Sequence, residues 1–336
     1  MKPTYNDTVE NSEKEFSSNN ALYHLKNISE KPHHVGTDEH KIVQQYLFNE
    51  LKKLGLNPEI QTETVFNKKW KAGATVENIV AKIKGSSNGK SLLVASHYDS
   101  NPHSSIGASD AGSGIVTILE GIRSFLAKNK VPKNDIIILF SDAEELGLLG
   151  AEAFVKFHPE AKNVGLVLNF EARGSGGPSY MLMETNGKNK NLLKEFLNAN
   201  PNYPAANSLM YSVYKMLPND TDLTVFRENG NINGFNFAFI GDHFDYHTAQ
   251  DSFERLDRET LAHQADYLMS TLQYFADADL TNLNSTTDHV YTNFPFMALL
   301  HYPFSWILPL LILAVVLLLM LLFFGIALNK ITIKGL

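Results

Sequence analysis

Between Ser91 and Gly150 two apolar runs rich in β-branched residues, 92–95 and 136–140, flank a stretch of helical spacing at 112–127. That is the strand, crossover helix, strand alternation of a parallel sheet, and it limits the chain to an α/β fold: a central mixed, mostly parallel sheet flanked by helices. Both runs end abruptly in acidic and imidazole side chains. Ligands in open α/β sheets bind at the carboxyl ends of the strands, so the chemistry is expected there.

The residues at those ends have a metallic character. His97 and Asp99 form His-Tyr-Asp, and a strand's period of two turns both side chains to one face. One imidazole nitrogen can then face a metal while the other donates to a carboxylate that fixes the tautomer. Asp110 sits in Gly-Ala-Ser-Asp-Ala-Gly-Ser-Gly, where small residues let the backbone turn sharply. Glu144 and Glu145 follow the second run as neighbours, a pairing that suits one ligand and one free base. Glu171 closes a third apolar run, 164–170, ahead of the turn-rich Arg173-Gly174-Ser175-Gly176-Gly177, and His247 follows a fourth, 235–240. His97, Asp110, Glu145, Glu171 and His247 make five nitrogen and oxygen donors. The chain has no cysteine, so no thiolate competes, and such a set suits zinc best, with manganese or cobalt as substitutes.

In order, these motifs resemble the co-catalytic dizinc exopeptidases, the group that holds bacterial zinc aminopeptidases, glutamate carboxypeptidase and the transferrin receptor. The resemblance covers roughly residues 20–280. A glutamate at position 171, the Glu-Ala-Arg-Gly-Ser-Gly-Gly run and an attached apolar segment are most similar to the vacuolar and endoplasmic-reticulum membrane metallopeptidases and their bacterial relatives. It implies two Zn2+ ions bridged by Asp110, with His97 and Glu171 completing one site and Glu145 and His247 the other. It also implies Asp99 as the residue that orients His97, Glu144 as general base, and Tyr246 as a hydroxyl donor to the developing oxyanion. Asn219 and Asp220 would line the substrate pocket. The implied activity is peptide hydrolysis, most readily as an aminopeptidase. A non-catalytic receptor-like domain, a dizinc carboxypeptidase, or another amide hydrolase such as a glutaminyl cyclase-like acyl transferase would use the same fold.

The remaining chain fits one peptidase domain with appendages. At 336 residues it is long enough for a large core, and its formal charge of -7 with no basic cluster argues against nucleic acid as a partner. Residues 1–18 read as a flexible polar tail without an apolar signal region, and 19–280 as the zinc peptidase domain. Helical spacing occupies 21–28, 39–54, 190–198 and 258–275, the last with Asp257 as N-cap. A strand at 58–66 is expected at the sheet edge, and 76–84 is expected to pair with 92–95 as a hairpin. Residues 201–222 are irregular and positioned to roof the cleft. His33 and His34 read as surface loop residues, and Asp142, His103 and His243 as structural or solvent-facing.

After a juxtamembrane linker at 281–303, residues 304–328 read as a transmembrane helix and 329–336 as a short basic tail. From Trp306 to Leu328 no residue is charged, more than the ~20 apolar residues a bilayer core requires. Tyr302, Phe304 and Trp306 precede the segment as interfacial aromatics, while Lys330 and Lys334 follow it. That asymmetry favours a cytoplasmic C-terminus and a peptidase domain on the non-cytoplasmic side, at the cell membrane or, in a eukaryote, the vacuole or endoplasmic reticulum. With no signal region at its start, the chain is expected to be a shortened form of a longer membrane protein.

Overall fold

A computed structural model describes residues 2–5, 12–217, 220–294 and 297–332. Its elements are α1 (Ser18–Ile28), α2 (Asp38–Lys53), β1 (Glu59–Asn67), β2 (Ala72–Ile83), β3 (Ser91–His97), α3 (Gly114–Ala127), β4 (Ile136–Ser141), α4 (Leu149–Phe157) and β5 (Val164–Ala172). They continue with β6 (Gly176–Glu184), α5 (Lys190–Ala199), α6 (Ser208–Met216), α7 (Asp222–Glu228), β7 (Asn233–Gly241), α8 (Arg258–Phe275), β8 (His289–Phe294), β9 (Met297–Pro303) and α9 (Ile307–Ala327). Seven strands form one mixed sheet in the order β1-β2-β4-β3-β5-β7-β6. Its centre, β4-β3-β5-β7, is parallel, and the edge pairings of β1 with β2, β2 with β4 and β6 with β7 are antiparallel.

The period of two sorts the central strands between two cores. Leu92, Val94, Ile136, Ile138, Leu166 and Leu168 pack with α1, α2, α3, α5 and α8, whereas Leu93, Ala95, Ile137, Leu139 and Val167 pack with α4 and α7. All residues of β3 and β4 are buried, which explains why their sequences show continuous apolar runs rather than alternation. Asp257 caps α8 by accepting from the Glu259 amide at 2.8 Å.

One expected pairing is corrected. β2 does not form a hairpin with β3, because β4 lies between them, antiparallel to β2 and parallel to β3. The connection steps over the start of β4, where Ser86 and Ser87 donate backbone bonds to Pro132 and Lys133 and the Gly85 amide bonds Asp135. A Cβ at Gly85 would stand 2.5 Å from the Asn134 carbonyl carbon, so only glycine allows this crossing. Within the irregular stretch 201–222, α6 forms with its apolar residues Leu209, Val213 and Met216 exposed. At the N-terminus, Arg123 and Ser124 of α3 bond the backbone carbonyls of Glu13, Glu15 and Lys14.

β8 and β9 pair as a separate antiparallel hairpin that runs into the last helix. The segment Phe304–Ala327 has a mean hydropathy of 3.3 and none of it is buried in the domain. The 21 residues of α9 measure roughly 31 Å at 1.5 Å per residue, the thickness of a bilayer's hydrocarbon core. It is one apolar C-terminal helix suited to a membrane span.

Candidate metal centre

Strand order reverses around β3, which is followed in sequence by β4 on one side and β5 on the other. Their carboxyl ends therefore converge at a switch point. His97 is the last residue of β3, Glu144 and Glu145 follow β4, Glu171 lies near the end of β5, and His247 follows β7. Asp110 enters from a single tight turn, Ala108–Ser113, that precedes α3. The turn opens at Gly107, whose φ of 70° and Cβ position 2.9 Å from the Ser100 side chain demand glycine.

Ligand-capable atoms of His97, Asp110 and Glu171 lie within 4.8 Å of one another, and so do those of Asp110, Glu145 and His247. Asp110 serves both groups with different oxygens: Oδ1 is 3.3 Å from His97 Nε2, and Oδ2 is 3.2 Å from His247 Nε2. His97 Nε2 stands 3.7 Å from Glu171 Oε2, and His247 Nε2 stands 3.1 Å from Glu145 Oε2. Ligand atoms on a tetrahedral ion with arms of about 2.0–2.1 Å are separated by roughly 3.3 Å, so this spacing fits zinc. Glu145 Oε1 and His247 Nε2 are also buried without an aligned hydrogen-bond partner, as donors awaiting a cation would be.

The electrostatics agree with that fit. Burial pushes Glu144 well above the usual carboxylate range and, with the charge of Asp110, pushes Glu145 up to about 7. Burial alone would lower His97, but Glu171 and the bonded carboxylates of Asp110 and Asp99 carry it well above the usual imidazole value. His247 likewise rises against burial to about 9 through Asp110 and Glu145. Against its own desolvation, Asp110 is held below the usual range by His247 and His97. Carboxylates crowded this tightly take up either protons or a cation.

His97 Nδ1 lies 2.9 Å from the backbone carbonyl of Asp99, which only accepts, so Nδ1 carries the proton and Nε2 faces the donor group. The Asp99 carboxylate is 3.5 Å from the same nitrogen and accepts instead from the amides of Glu144 at 3.0 Å and Glu145 at 3.2 Å. It thus fixes the segment that carries both glutamates. Glu144, Glu145, Tyr246, His247, Asn101, Arg173, Asp220 and Trp70 line a cleft of about 400 Å³. The Tyr246 ring stacks on His247 with centroids 3.6 Å apart, and burial pushes its hydroxyl up, keeping its proton. Asp220 lines the cleft with its carboxylate held by Lys69. Asn219 lies outside the described residues.

Three supporting residues receive no role from sequence reasoning, although Arg173 lies in the Glu-Ala-Arg-Gly-Ser-Gly-Gly run. Asn101 donates to Glu145 Oε2 at 2.8 Å and contacts His247 Nδ1 at 3.1 Å. Asp251 accepts from the amides of Ser109 at 2.6 Å and Asp110 at 3.1 Å, anchoring the turn. Arg173 reaches Tyr246 and the Asp220 carbonyl. Asn101 and Asp251 fall two and four residues beyond Asp99 and His247, a proximity that could have flagged them. His33 corrects another expectation: it is buried beneath the site, its amide bonded to Ser100 Oγ at 2.9 Å, because the loop after α1 folds inward. His34 is half-buried. Asp142 is structural, accepting from His40 and the Glu77 amide, and exposed His103 and His243 contact Asn101 and the Arg173 carbonyl.

Residues 78–272 match the model of the family described as Peptidase family M28. A vacuolar membrane protease of Candida dubliniensis is 30% identical over 281 residues, covering 80% of this chain and 29% of the relative. The chain therefore spans less than a third of that curated relative's length. Among solved structures, an aminopeptidase from Aneurinibacillus sp. strain AM-1 superposes with a TM-score of 0.64 at 15% identity, over 81% of this chain and 97% of its own. A glutaminyl cyclase from Porphyromonas gingivalis reaches 0.61 at 21% identity, over 77% and 97%. At such identities the two structures speak for the fold alone.

Proposed function

The chain belongs to peptidase family M28, and on that premise we propose that it is a membrane-anchored dizinc aminopeptidase with Glu144 as its general base. The observation that carries the proposal is the sharing of Asp110 between two donor groups while Glu144 faces the same cleft. His97, Asp110 and Glu171 would hold one zinc ion, and Asp110, Glu145 and His247 the other. Zinc so held lowers the pKa of water from 15.7 towards ~7 and polarises a carbonyl.

The protein's own groups do the rest. Glu144 takes the proton of the attacking water and later passes it to the departing amine, a role typically worth about 10²- to 10⁴-fold. Its raised proton affinity suits both halves of that transfer. Tyr246 keeps its proton and donates it in a hydrogen bond to the oxygen that becomes negative. His97 is held in one tautomer by the Asp99 carbonyl, and Asn101 fixes Glu145 beside His247. The Phe304–Ala327 helix anchors the domain, which faces the non-cytoplasmic side.

Elemental analysis of purified protein, run beside hydrolysis of aminoacyl, N-blocked and N-terminal glutaminyl peptides, tests the proposal. About two zinc ions per chain with chelator-sensitive cleavage of free-amine peptides is the expected result. Cleavage of N-blocked peptides alone, cyclisation of the glutaminyl peptide without hydrolysis, or no turnover would each refute it. Protease protection in sealed vesicles checks the topology: the domain should be digested only when the non-cytoplasmic face is exposed.

A further inference from the structure

Arg173 is a charged group in the cleft to which the proposed reaction assigns no task. It directly follows the last residue of β5, two positions past Glu171. Its backbone is pinned on both sides, the amide donating to the Phe239 carbonyl at 2.8 Å and the carbonyl accepting from His243 Nδ1 at 2.6 Å. Its side chain lines the cleft beside Glu144, Tyr246 and His247.

What the guanidinium touches is neutral. It donates to Tyr246 Oη at 3.4 Å and to the Asp220 carbonyl at 3.1 Å, and the Asp220 carboxylate belongs to Lys69. Arg123, Arg227 and Arg255 each pair with a carboxylate, whereas among the described residues Arg173 and Arg258 pair with none, and of these two only Arg173 lines the cleft. A half-buried guanidinium has five donors in a planar fork that matches a carboxylate, and Glu171 and Asp110 act on this one only through space, so the fork itself holds no carboxylate. Its central carbon lies 5.7 Å from the Tyr246 ring centroid, and that ring lies 3.6 Å from the imidazole of His247. At most about 9.3 Å thus separates it from the centre of the His247 ring, two to three extended residues at ~3.3–3.6 Å each.

Resting on the peptidase reading, we infer that Arg173 anchors a substrate carboxylate within two residues of the scissile bond. Either the α-carboxylate of a dipeptide or the side chain of an aspartate or glutamate supplies that chemistry. The enzyme accordingly selects dipeptides or acidic peptides over neutral ones of the same shape.

The zinc-loaded full chain is tested on three matched pairs. Leu-Ala against Leu-Ala amide reports the α-carboxylate, while Leu-Glu amide against Leu-Gln amide and Glu-Ala amide against Gln-Ala amide report side chains on either side of the bond. Wild type is expected to favour the carboxylate member of at least one pair by about 10- to 100-fold in kcat/KM. Arg173→Gln should bring that ratio to about one, and Arg173→Lys should keep part of it. No preference in wild type overturns the inference. So does an Arg173→Gln variant that loses activity on both members equally, since a mere clamp on Tyr246 would leave the ratio untouched. If wild type cleaves no peptide, the peptidase reading fails separately, and a thermal shift of metal-free protein decides the subsite. Stabilisation by N-acetylalanine over its amide, absent in Arg173→Gln, supports it; equal response to both overturns it.

Discussion

Replacing Asp251 with asparagine should damage the site from beneath. The wild-type carboxylate accepts from the amides of Ser109 and Asp110, its carbonyl accepts from Ala108, and its amide donates to the Thr248 carbonyl. One side chain thus ties the turn that carries Asp110 to the loop that carries His247. Asparagine keeps the shape but points an N–H₂ at one of the two amides. A hydrogen bond to a charged group contributes about 1.5–3 kcal/mol, and a buried amide left unpaired costs about 1–3 kcal/mol. In unfolding at pH 8 those terms are offset, because burial raises Asp251 to about 7 and so penalises the ionised form there, a penalty that asparagine does not carry. The anchor is therefore read from zinc affinity, which depends on the position of Asp110, and not from unfolding stability. Outer partners of metal ligands typically affect affinity by about 10- to 100-fold, so zinc competition against a chromophoric chelator should show weakening of that order. Zinc affinity within about twofold of wild type would refute the reasoning.

Glu144→Gln should retain its zinc by elemental analysis yet lose about 10²- to 10⁴-fold in kcat; full activity would dismiss Glu144 as the base. His33 is buried, which lowers it to about 4, so below about 6.5 the unfolded chain binds a proton that the folded one refuses and stability falls as pH drops towards 4. The loss is about 2.5 kcal/mol at pH 4.5 and should vanish in His33→Asn, measured by urea unfolding with chelator present; an unchanged acid slope would count against it. Graded chelation should remove zinc in two steps, and His247→Ala should keep one equivalent; loss of both ions together would contradict two sites of unequal rigidity.

Much of the site was legible because its signals are local. Residues 258–275 were bounded correctly from spacing and from Asp257, since a helix and its cap depend on neighbours in sequence. The abrupt change from apolar run to His97, from apolar run to Glu144 and Glu145, and from apolar run to Glu171 marked strand ends without any knowledge of strand order. What failed was non-local. The partner of β2 depends on which strand inserts beside it, and nothing within residues 76–95 announces β4, some forty residues on. His33 looked like a surface residue because its burial is decided by Ser100, 67 positions away. Asp251 acts on amides 142 and 141 positions away, and a lone aspartate in a loop carries no mark of that work.

The switch point explains why the two donor groups should differ. Adjacent strands lie about 4.8 Å apart, so the ends of β3 and β5 can share ligands through side chains alone. His97 and Glu171 do so, both almost wholly enclosed at 1% and 5% side-chain exposure. β7 lies two strands from β3, roughly 10 Å away, which is too far for a side chain at its end to reach directly. His247 arrives only because the chain after β7 folds back, with the residue itself at a φ of 56° and its side chain 31% exposed. Its partner Glu145 also stands on a loop, held by amide bonds to Asp99 and by Asn101. Asp110 therefore joins a group built on the sheet to one built on loops. The loop-built group of Glu145 and His247 lines the cleft beside Tyr246 and Arg173, whereas His97 and Glu171 are enclosed by the fold beneath it.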